Sequence, residues 1–563
     1  MASYDPRQGK QPEGNNGLLI AAFVAVVFMM GWDYFAPKPE VPENAIAQQT
    51  SMTVEGAQVP GQPDVIVQGS SQVSNNIEAP TTKVKRLPVE SKSLVGGVAL
   101  TGARLDDLAL NNYTVTLDGD EKVRILSPNG KRIQFFDAGW QAVGVQVPAG
   151  NSVWEAKGDA LTPKTPLVLT WSNEDGQEFT RTYTIDETGY TIRVVDEVIN
   201  RSSRDIQIGH YAQVHKADGL EQGGDGYEEE MSTFYNFIGP EGVIEDIKYE
   251  HDYDDIKQEK AFKYTGQKGW IAIKSRYFLA SIIPDQQTEN TWQFKYSNLN
   301  GRDFYSAIVQ VPMVNRVAAN GGTYTKSYRL YVGPNKRQEM SKESVGLEDS
   351  VDYGWYQVIA LPIYSSMMFF YEHTGNLGLA IIIVTVILKI LLMPLASKSY
   401  RSMAKLKQLT PKMEALKERL GDNREQMGLE MMKLYKEHKV NPASGCWPML
   451  IQIPIFFAVY KVILISFEFR HEPFMLWIQD LSAHDPFFIL PVLMGVSMFL
   501  QQKLNPPATD PIQRQVMSAL PIVFTVMFAM FPSGLVLYWF VNNVVSIAQQ
   551  WMITKRIEKA EGK

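Results

Sequence analysis

Ile381-Ile-Ile-Val-Thr-Val-Ile-Leu-Lys-Ile-Leu-Leu-Met-Pro394 decides the class of this chain. Apart from Thr385, Lys389 and the closing proline, every side chain in it is aliphatic or methionine. The run has neither the alternation of a strand nor the polar face of a surface helix, so it reads as a membrane-crossing helix over 377–396. A charged side chain at depth in such a helix costs roughly 2.5–3.5 kcal/mol on insertion scales, so it ordinarily faces a partner or water. Thr385 lies one helical turn earlier on the same face. The competing reading is a snorkelling lysine, because Ala396 at the inner end is about 10 Å away at the helical rise. No carboxylate falls within a span, Asp33 and Glu468 lying at outer ends. An ammonium without a counter-ion in lipid implies water around it.

Further apolar runs follow at 446–467, 487–502, 516–532 and 534–552, the last two separated only by Phe531-Pro-Ser-Gly534. Several are short for a bilayer, which implies tilt or local thinning. Gln452 and Asn542 lie at depth and are read as facing inward, whereas Gln501 and Gln502 sit at a span end. Lys461 falls near the outer end of its run and is read as snorkelling. Near the amino terminus, Leu18 to Trp32 follows Arg7 and Lys10, and the exit Tyr34-Phe-Ala-Pro37 lacks the small residue of a cleavage site. Residues 1–16 are therefore a cytoplasmic leader to an uncleaved anchor at 17–36.

Charge sets the orientation. Residues 397–445 carry 11 basic side chains and the tail 553–563 adds Lys555, Arg556, Lys559 and Lys563. The loop 468–486 has only Arg470 against Glu468, Glu472, Asp480 and Asp485. The positive-inside rule places the first two in the cytoplasm and the third outside. Residues 37–350 hold 32 basic and 43 acidic side chains, so this net-acidic region belongs outside. That requires Tyr353–Tyr371, with Pro362, Ser365 and Ser366, to lie along the interface as a helix over 350–372 rather than to span. Six spans with both ends inside result.

Residues 37–92, without Phe, Trp or Tyr, read as a flexible tether. From 93 to 343 the pattern is period two, as in Phe179-Thr-Arg-Thr-Tyr-Thr-Ile185 and Tyr324-Thr-Lys-Ser-Tyr-Arg-Leu-Tyr331. This predicts a large antiparallel β domain of two packed sheets. Between the spans, 397–445 is a helical hairpin: Leu406, Leu409, Met413, Leu416 and Leu420 form a heptad seam, Gly421-Asp-Asn423 a turn, and Met427, Met431 and Leu434 the apolar side of the return. It reads equally as a solvated spacer or as a docking arm for a ribosome or emerging chain. The whole is an α+β membrane protein.

The length of 563 residues allows several domains, and the 45% apolar content is ordinary but concentrated in these runs, which rules out a soluble cytosolic enzyme. The single cysteine, Cys446, excludes an internal disulfide and a cysteine-based metal site. There is no His-Glu-x-x-His, Gly-x-Ser-x-Gly or Walker loop, and all seven histidines lie outside the spans. No cofactor or metal is expected. A net charge of −7 without a basic-aromatic patch argues against nucleic acid. A transporter or channel using Lys389 as an anion site would show internal repeats, and none is visible. A sugar-modifying enzyme would need convergent acid and base groups. Glu228-Glu-Glu230 and His210 read instead as an acidic loop and a core histidine.

Met403-Ala-Lys-Leu-Lys-Gln-Leu-Thr-Pro-Lys-Met413, Asn441-Pro-Ala-Ser-Gly-Cys-Trp-Pro448, Gln452-Ile-Pro-Ile-Phe456, Leu476-Trp-Ile-Gln-Asp-Leu481, Ile489-Leu-Pro-Val-Leu-Met-Gly495 and Phe531-Pro-Ser-Gly-Leu-Val-Leu-Tyr538 occur in this order. Over about 350–555 the chain closely resembles the YidC/Oxa/Alb family of membrane protein insertases, and its outer domain and anchor resemble the Gram-negative YidC form. The resemblance implies a five-helix insertase core with a hydrophilic groove, open to cytoplasm and lipid and closed outside, acting as insertase and chaperone. It implies that Lys389 takes the groove's positive position, where Gram-negative relatives carry Arg; the charge is kept but the guanidinium fork is lost. Thr385 and the pair Tyr538-Trp539 fall where family members contact the inserting helix, Trp539 replacing the usual Tyr. The resemblance further implies substrate reception and ribosome contact by the hairpin and tail, and a periplasmic β-supersandwich that contacts the Sec translocon.

Overall fold

The computed structural model describes residues 84–129, 133–217, 237–299, 301–421, 423–438, 440, 447–505 and 511–560. The anchor at 17–36, most of the tether, Glu228–Glu230 and Cys446 lie outside them. The chain divides into two compact units, one of strands up to Asp352 and one of helices from Tyr353.

In the β unit, one antiparallel sheet runs Arg86–Glu90, Leu94–Ala99, Arg104–Thr114, Gln134–Ala142, Ile206–Ala217, Arg302–Val317, Asn290–Leu299 and Ala261–Gly266, with Lys122–Leu126 beside the third strand. The other runs Ile247–Glu250, Gly239–Ile244, Gly269–Lys274, Phe278–Pro284, Gly322–Pro334, Thr191–Asn200, Gln177–Ile185, Leu167–Ser172 and Glu155–Lys157. The strand Gln177–Ile185 shows why the period-two reading works. Phe179, Arg181, Tyr183 and Ile185 point into the core, while Glu178, Thr180 and Thr182 are half exposed. Side chains from the two sheets meet there: Trp140 of the first lies 6.1 Å from Phe179 of the second. Trp270, Trp292, Phe135, Phe136 and Phe294 are fully buried, each contributing on the order of 2–3 kcal/mol relative to exposure. Gly269 is required where it stands: its φ is +137°, and a Cβ would come 1.9 Å from the Val243 carbonyl of the next strand.

Arg181 breaks the apolar rule of the core, and its neighbours explain how. Cross-strand register sets it opposite Asp196. Nε and Nη2 donate to the two carboxylate oxygens at 2.6 and 2.9 Å, and Nη1 donates to the Ala103 carbonyl at 3.0 Å. Asp196 also meets His210 Nε2 at 2.7 Å and accepts from the Tyr328 hydroxyl at 3.0 Å. The planar fork is matched bidentately and every partner is buried. His210 is thus a core histidine, as its sequence context suggests.

The β unit continues past 343 to Asp352. Trp270 Nε1 donates to the Gly346 carbonyl at 3.2 Å, and Arg337 donates to the carbonyls of Glu348 and Val351 at 2.7 and 2.9 Å. Buried Lys274 reaches both the Ser350 carbonyl and Glu241. This strap makes no strand, so period-two reading stops short of it.

The helical unit holds α1 (Gln357–Thr374), α2 (Leu377–Leu391), α3 (Met393–Leu420), α4 (Arg424–Glu437), α5 (Trp447–Ile465), α6 (Ile489–Leu504), α7 (Pro511–Phe528) and α8 (Ser533–Ala560). Local chemistry sets the breaks. Gly375 takes the left-handed conformation, φ 65°, that ends α1, and the Asn376 side chain accepts from Leu379 N at 2.8 Å to start α2. Asn423 does the same for α4, accepting from Gln426 N at 3.2 Å. Between α3 and α4 the predicted seam is the buried side: Leu409 is buried, while Leu406, Met413, Leu416, Leu420, Met427, Met431 and Leu434 are half buried. The hairpin's first helix begins earlier than 397, at Met393, bent 66° from α2. Pro394 has no N–H to continue the helix across that point.

Among the described residues no single helix is long and apolar enough by itself to cross a membrane; the bent pair α2–α3 is, by length and composition. Two physical reasons separate this from the runs read in the sequence. The apolar helix α6 is short, at 16 residues. Although α8 has 28 residues, a polar stripe of Asn542, Asn543, Ser546, Gln549 and Gln550 dilutes it.

Candidate functional site

Two residues of the polar stripe on α8, Ser546 and Gln549, face the lysine of α2, while Asn543 and Gln550 turn to Ser497 and Asn505. Lys389 Nζ donates to Ser546 Oγ at 2.8 Å and to Gln452 Oε1 at 3.3 Å. Gln452 Nε2 in turn donates to the Tyr538 hydroxyl at 2.9 Å. Gln549 Nε2 donates to the Lys389 carbonyl at 3.1 Å. Helices α2, α5 and α8 thus bring Lys389, Gln452 and Tyr538 into one polar cluster near the hairpin end of the bundle. No carboxylate joins it among the described residues. Every acceptor around the ammonium is neutral, so the positive charge is solvated but not cancelled.

The other expected residues stand apart from that chain of bonds. Thr385 is buried, and its hydroxyl donates to the Ile381 carbonyl at 2.6 Å on its own helix. Trp539 lies in an aromatic group, 4.7 Å from Phe456 edge-on and 5.2 Å from Phe528. Its Nε1 and the Asn542 Oδ1 are buried atoms with no hydrogen-bond partner among the described residues. Such orphans are costly unless water or another chain satisfies them. Sequence reading missed Ser546 and Gln549. Their spacing from Asn542, a turn and two turns on, was the signal: the helical period that places polar residues on one face of an apolar helix. Gln502 is also more than an interface residue, since its amide donates to the Met517 carbonyl of α7.

At the opposite end of the bundle, residues 468–488 are tied to the helices by hydrogen bonds. Ser533 N donates to the Ala483 carbonyl at 2.7 Å, Gly534 N to that of Leu481 at 3.0 Å, and Ser533 Oγ to that of Asp480 at 2.8 Å. Asn376 Nδ2 donates to the Phe474 carbonyl at 2.7 Å, and the Tyr364 hydroxyl to Glu468 at 2.7 Å. Asp485 is fully buried and accepts from Trp477 Nε1, Phe487 N and Leu490 N at 3.0, 3.0 and 2.7 Å. Through Leu490 N it satisfies one of the free N–H groups that open α6.

Two family models match the chain in series: the YidC periplasmic domain over residues 86–366, and the 60Kd inner membrane protein over 369–560. The membrane protein insertase YidC of Rickettsia canadensis is 35% identical over 96% of this chain and 100% of its own length. That of Rickettsia felis is 35% identical over 96% of this chain and 98% of its own. The chain belongs to the YidC family of membrane protein insertases. A crystal structure of an active YidC insertase with its first transmembrane domain resolved aligns over 84% of this chain and 93% of that one, at 18% identity and a TM-score of 0.38.

The YidC match assigns both units. The strands described above, with the first half of α1, fall in the family's periplasmic domain, and the helices from α2 on fall in its inner-membrane part. The chain is a membrane protein insertase of α+β architecture, an inner-membrane protein with a periplasmic β domain.

Proposed function

We propose that this insertase works through a wet, cationic groove around Lys389, with Gln452, Tyr538, Asn542, Trp539 and Thr385 forming its wall. The observation that carries the reading is an ammonium held by two neutral oxygens, Gln452 Oε1 and Ser546 Oγ, in a helical unit that also holds the orphaned buried atoms Asn542 Oδ1 and Trp539 Nε1. An uncancelled charge in a low-dielectric surround attracts an acidic or polar segment far more than it would in water. A nascent membrane protein's short outer segment enters this groove, and its hydrophobic helix slides along the lipid-facing side near Trp539. Burial of about 20 apolar residues in lipid supplies the free energy, so no nucleotide is needed. The closed end formed by 468–488 keeps the groove from becoming a pore.

In the same reading there are six spans, both termini are cytoplasmic, and α1, which begins at Gln357 rather than at the expected 350, lies at the interface. Its side chains fit that placement: Val358 is 85% exposed while Ile363 and Met367 are buried. The hairpin α3–α4 and the basic tail receive ribosome or substrate, and the periplasmic domain contacts the Sec translocon. Among the described basic residues of the hairpin, Lys405, Lys407, Lys412, Arg419, Lys433 and Lys436 are exposed, as a docking arm requires.

Reconstitution tests this directly. The purified protein in liposomes should insert a small single-spanning substrate without ATP. Lys389→Ala should impair a substrate with an acidic outer segment more than a neutral one. Equal loss for both, or a requirement for nucleotide, would contradict the proposal.

A further inference from the structure

Lys389 sits in the last turn of α2, where a snorkelling lysine would turn its ammonium down toward the inner surface. Two side chains of α8 oppose that. Ser546 and Gln549 are one turn apart on the same face, both buried, and they hold the residue at its two ends. At the side-chain end, the Ser546 hydroxyl donates to the Asn542 carbonyl at 2.7 Å. Its only hydrogen is thereby committed, so toward Lys389 Nζ it presents a lone pair. At the backbone end, Gln549 donates to the Lys389 carbonyl. A helix leaves the carbonyls of its last turn without backbone donors, and the Gln549 amide supplies one to Lys389. Gln452 completes the set from α5, its amide orientation fixed by donating to Tyr538.

We infer that Ser546 and Gln549 are positioning residues that clamp Lys389 across the bend between α2 and α3, keeping its ammonium in the groove. The inference rests on the groove reading above and adds to it a specific requirement for α8. Without the clamp the chain keeps its lysine but loses the placement of the charge. The consequence is selective: capture of acidic outer segments depends on where the charge sits, whereas sliding of an apolar helix along the lipid side depends on it much less.

The test uses the full chain in liposomes and two versions of one small substrate, with an acidic or a neutral outer segment. The quantity read is the ratio of acidic to neutral insertion. Ser546→Ala removes one acceptor of a charged group and should lower that ratio about tenfold. Ser546→Thr, which keeps the hydroxyl, should restore it. Adding Ser546→Ala to Lys389→Ala should lower the ratio no further, because the clamp has nothing left to hold. Gln549→Leu, which keeps the bulk and removes the donor, should lower the ratio in the same direction and carries the test if Ser546→Ala does not fold. A wild-type ratio in folded Ser546→Ala, equal losses for both substrates, or an added loss in the Lys389→Ala background would each overturn the clamp. If Lys389→Ala lowers the ratio and neither α8 variant does, only the clamp falls. If Lys389→Ala itself leaves the ratio unchanged, the groove reading falls with it.

Discussion

Arg181 shows how a charge survives in the core of the β unit. Burial opposes the charge on Asp196, yet Arg181 and the His210 bond together hold that carboxyl well below the usual carboxylate range. Removing one partner strands the other. Arg181→Leu should therefore cost about 3–5 kcal/mol, and Arg181→Leu combined with Asp196→Leu should recover much of it. Chemical denaturation of the two variants measures the difference. The histidines set the pH response. Burial outweighs Asp196 and lowers the His210 imidazole, and burial first, then Arg104 and Lys295, lowers that of His215 to about 3. Both are neutral in the folded protein, whereas the unfolded chain protonates them near pH ~6.5. The unfolded state then binds more protons, so their contribution is full above pH ~6.5 and declines below it, by up to about 1.4 kcal/mol per pH unit for each histidine. For His215 the decline continues to about pH 3. Asp196 acts in the same direction, but only below pH ~3.9. Hydrogen exchange in strands Thr191–Asn200 and Ile206–Ala217, corrected for intrinsic rates, should show protection falling from pH 7 to pH 5. Constant protection would contradict the buried neutral imidazoles.

At the scale of elements, the packing of the bundle around 468–488 depends on caps and close approaches. Asp485→Ala removes the acceptor for three buried or half-buried donors. It should destabilise the helical unit by about 2 kcal/mol or more, the upper end for a helix cap. Gly495 allows α6 to meet α7: a Cβ there would lie 1.9 Å from Thr525 Oγ1 and 3.2 Å from its Cβ. Gly495→Val should lower thermal stability in detergent, and pairing it with Thr525→Ala should restore part of the loss. Elements differ in how far the sequence discloses them. The alternation at Phe179–Ile185 and the hairpin seam from Leu406 to Leu434 are legible, because each follows from one period. The strap Leu347–Val351 is not, since its place is set by partners far along the chain such as Trp270 and Arg337. Lys389 is legible as a charge in an apolar run, and Gln452 as a polar group at depth. Ser546 is legible only as a member of the polar face it shares with Asn542 and Gln549, because a serine in a helix ordinarily satisfies itself on its own backbone. Only the facing of α2 and α8 reveals its second bond.

At the scale of the whole molecule, short helices and a polar stripe belong together. The 16 residues of α6 span about 24 Å at the helical rise, against roughly 30 Å of hydrocarbon. An insertase that thins its bilayer shortens the path of a polar segment. Insertion should accordingly be faster in thin bilayers than in thick ones when the same full-length protein is reconstituted in each. Independence from thickness would remove thinning from the mechanism.

The most direct measurement concerns water at the groove. Cys446 is the only cysteine in the chain, so Cys446→Ser followed by Asn542→Cys places one thiol beside the Lys389 cluster. In sealed vesicles of known orientation, a charged membrane-impermeant thiol reagent should modify it from the cytoplasmic face and not from the periplasmic face. A thiol that stays unmodified from both faces in the folded, active protein, or one that reacts from the periplasmic side, would contradict a hydrated groove closed on the outside.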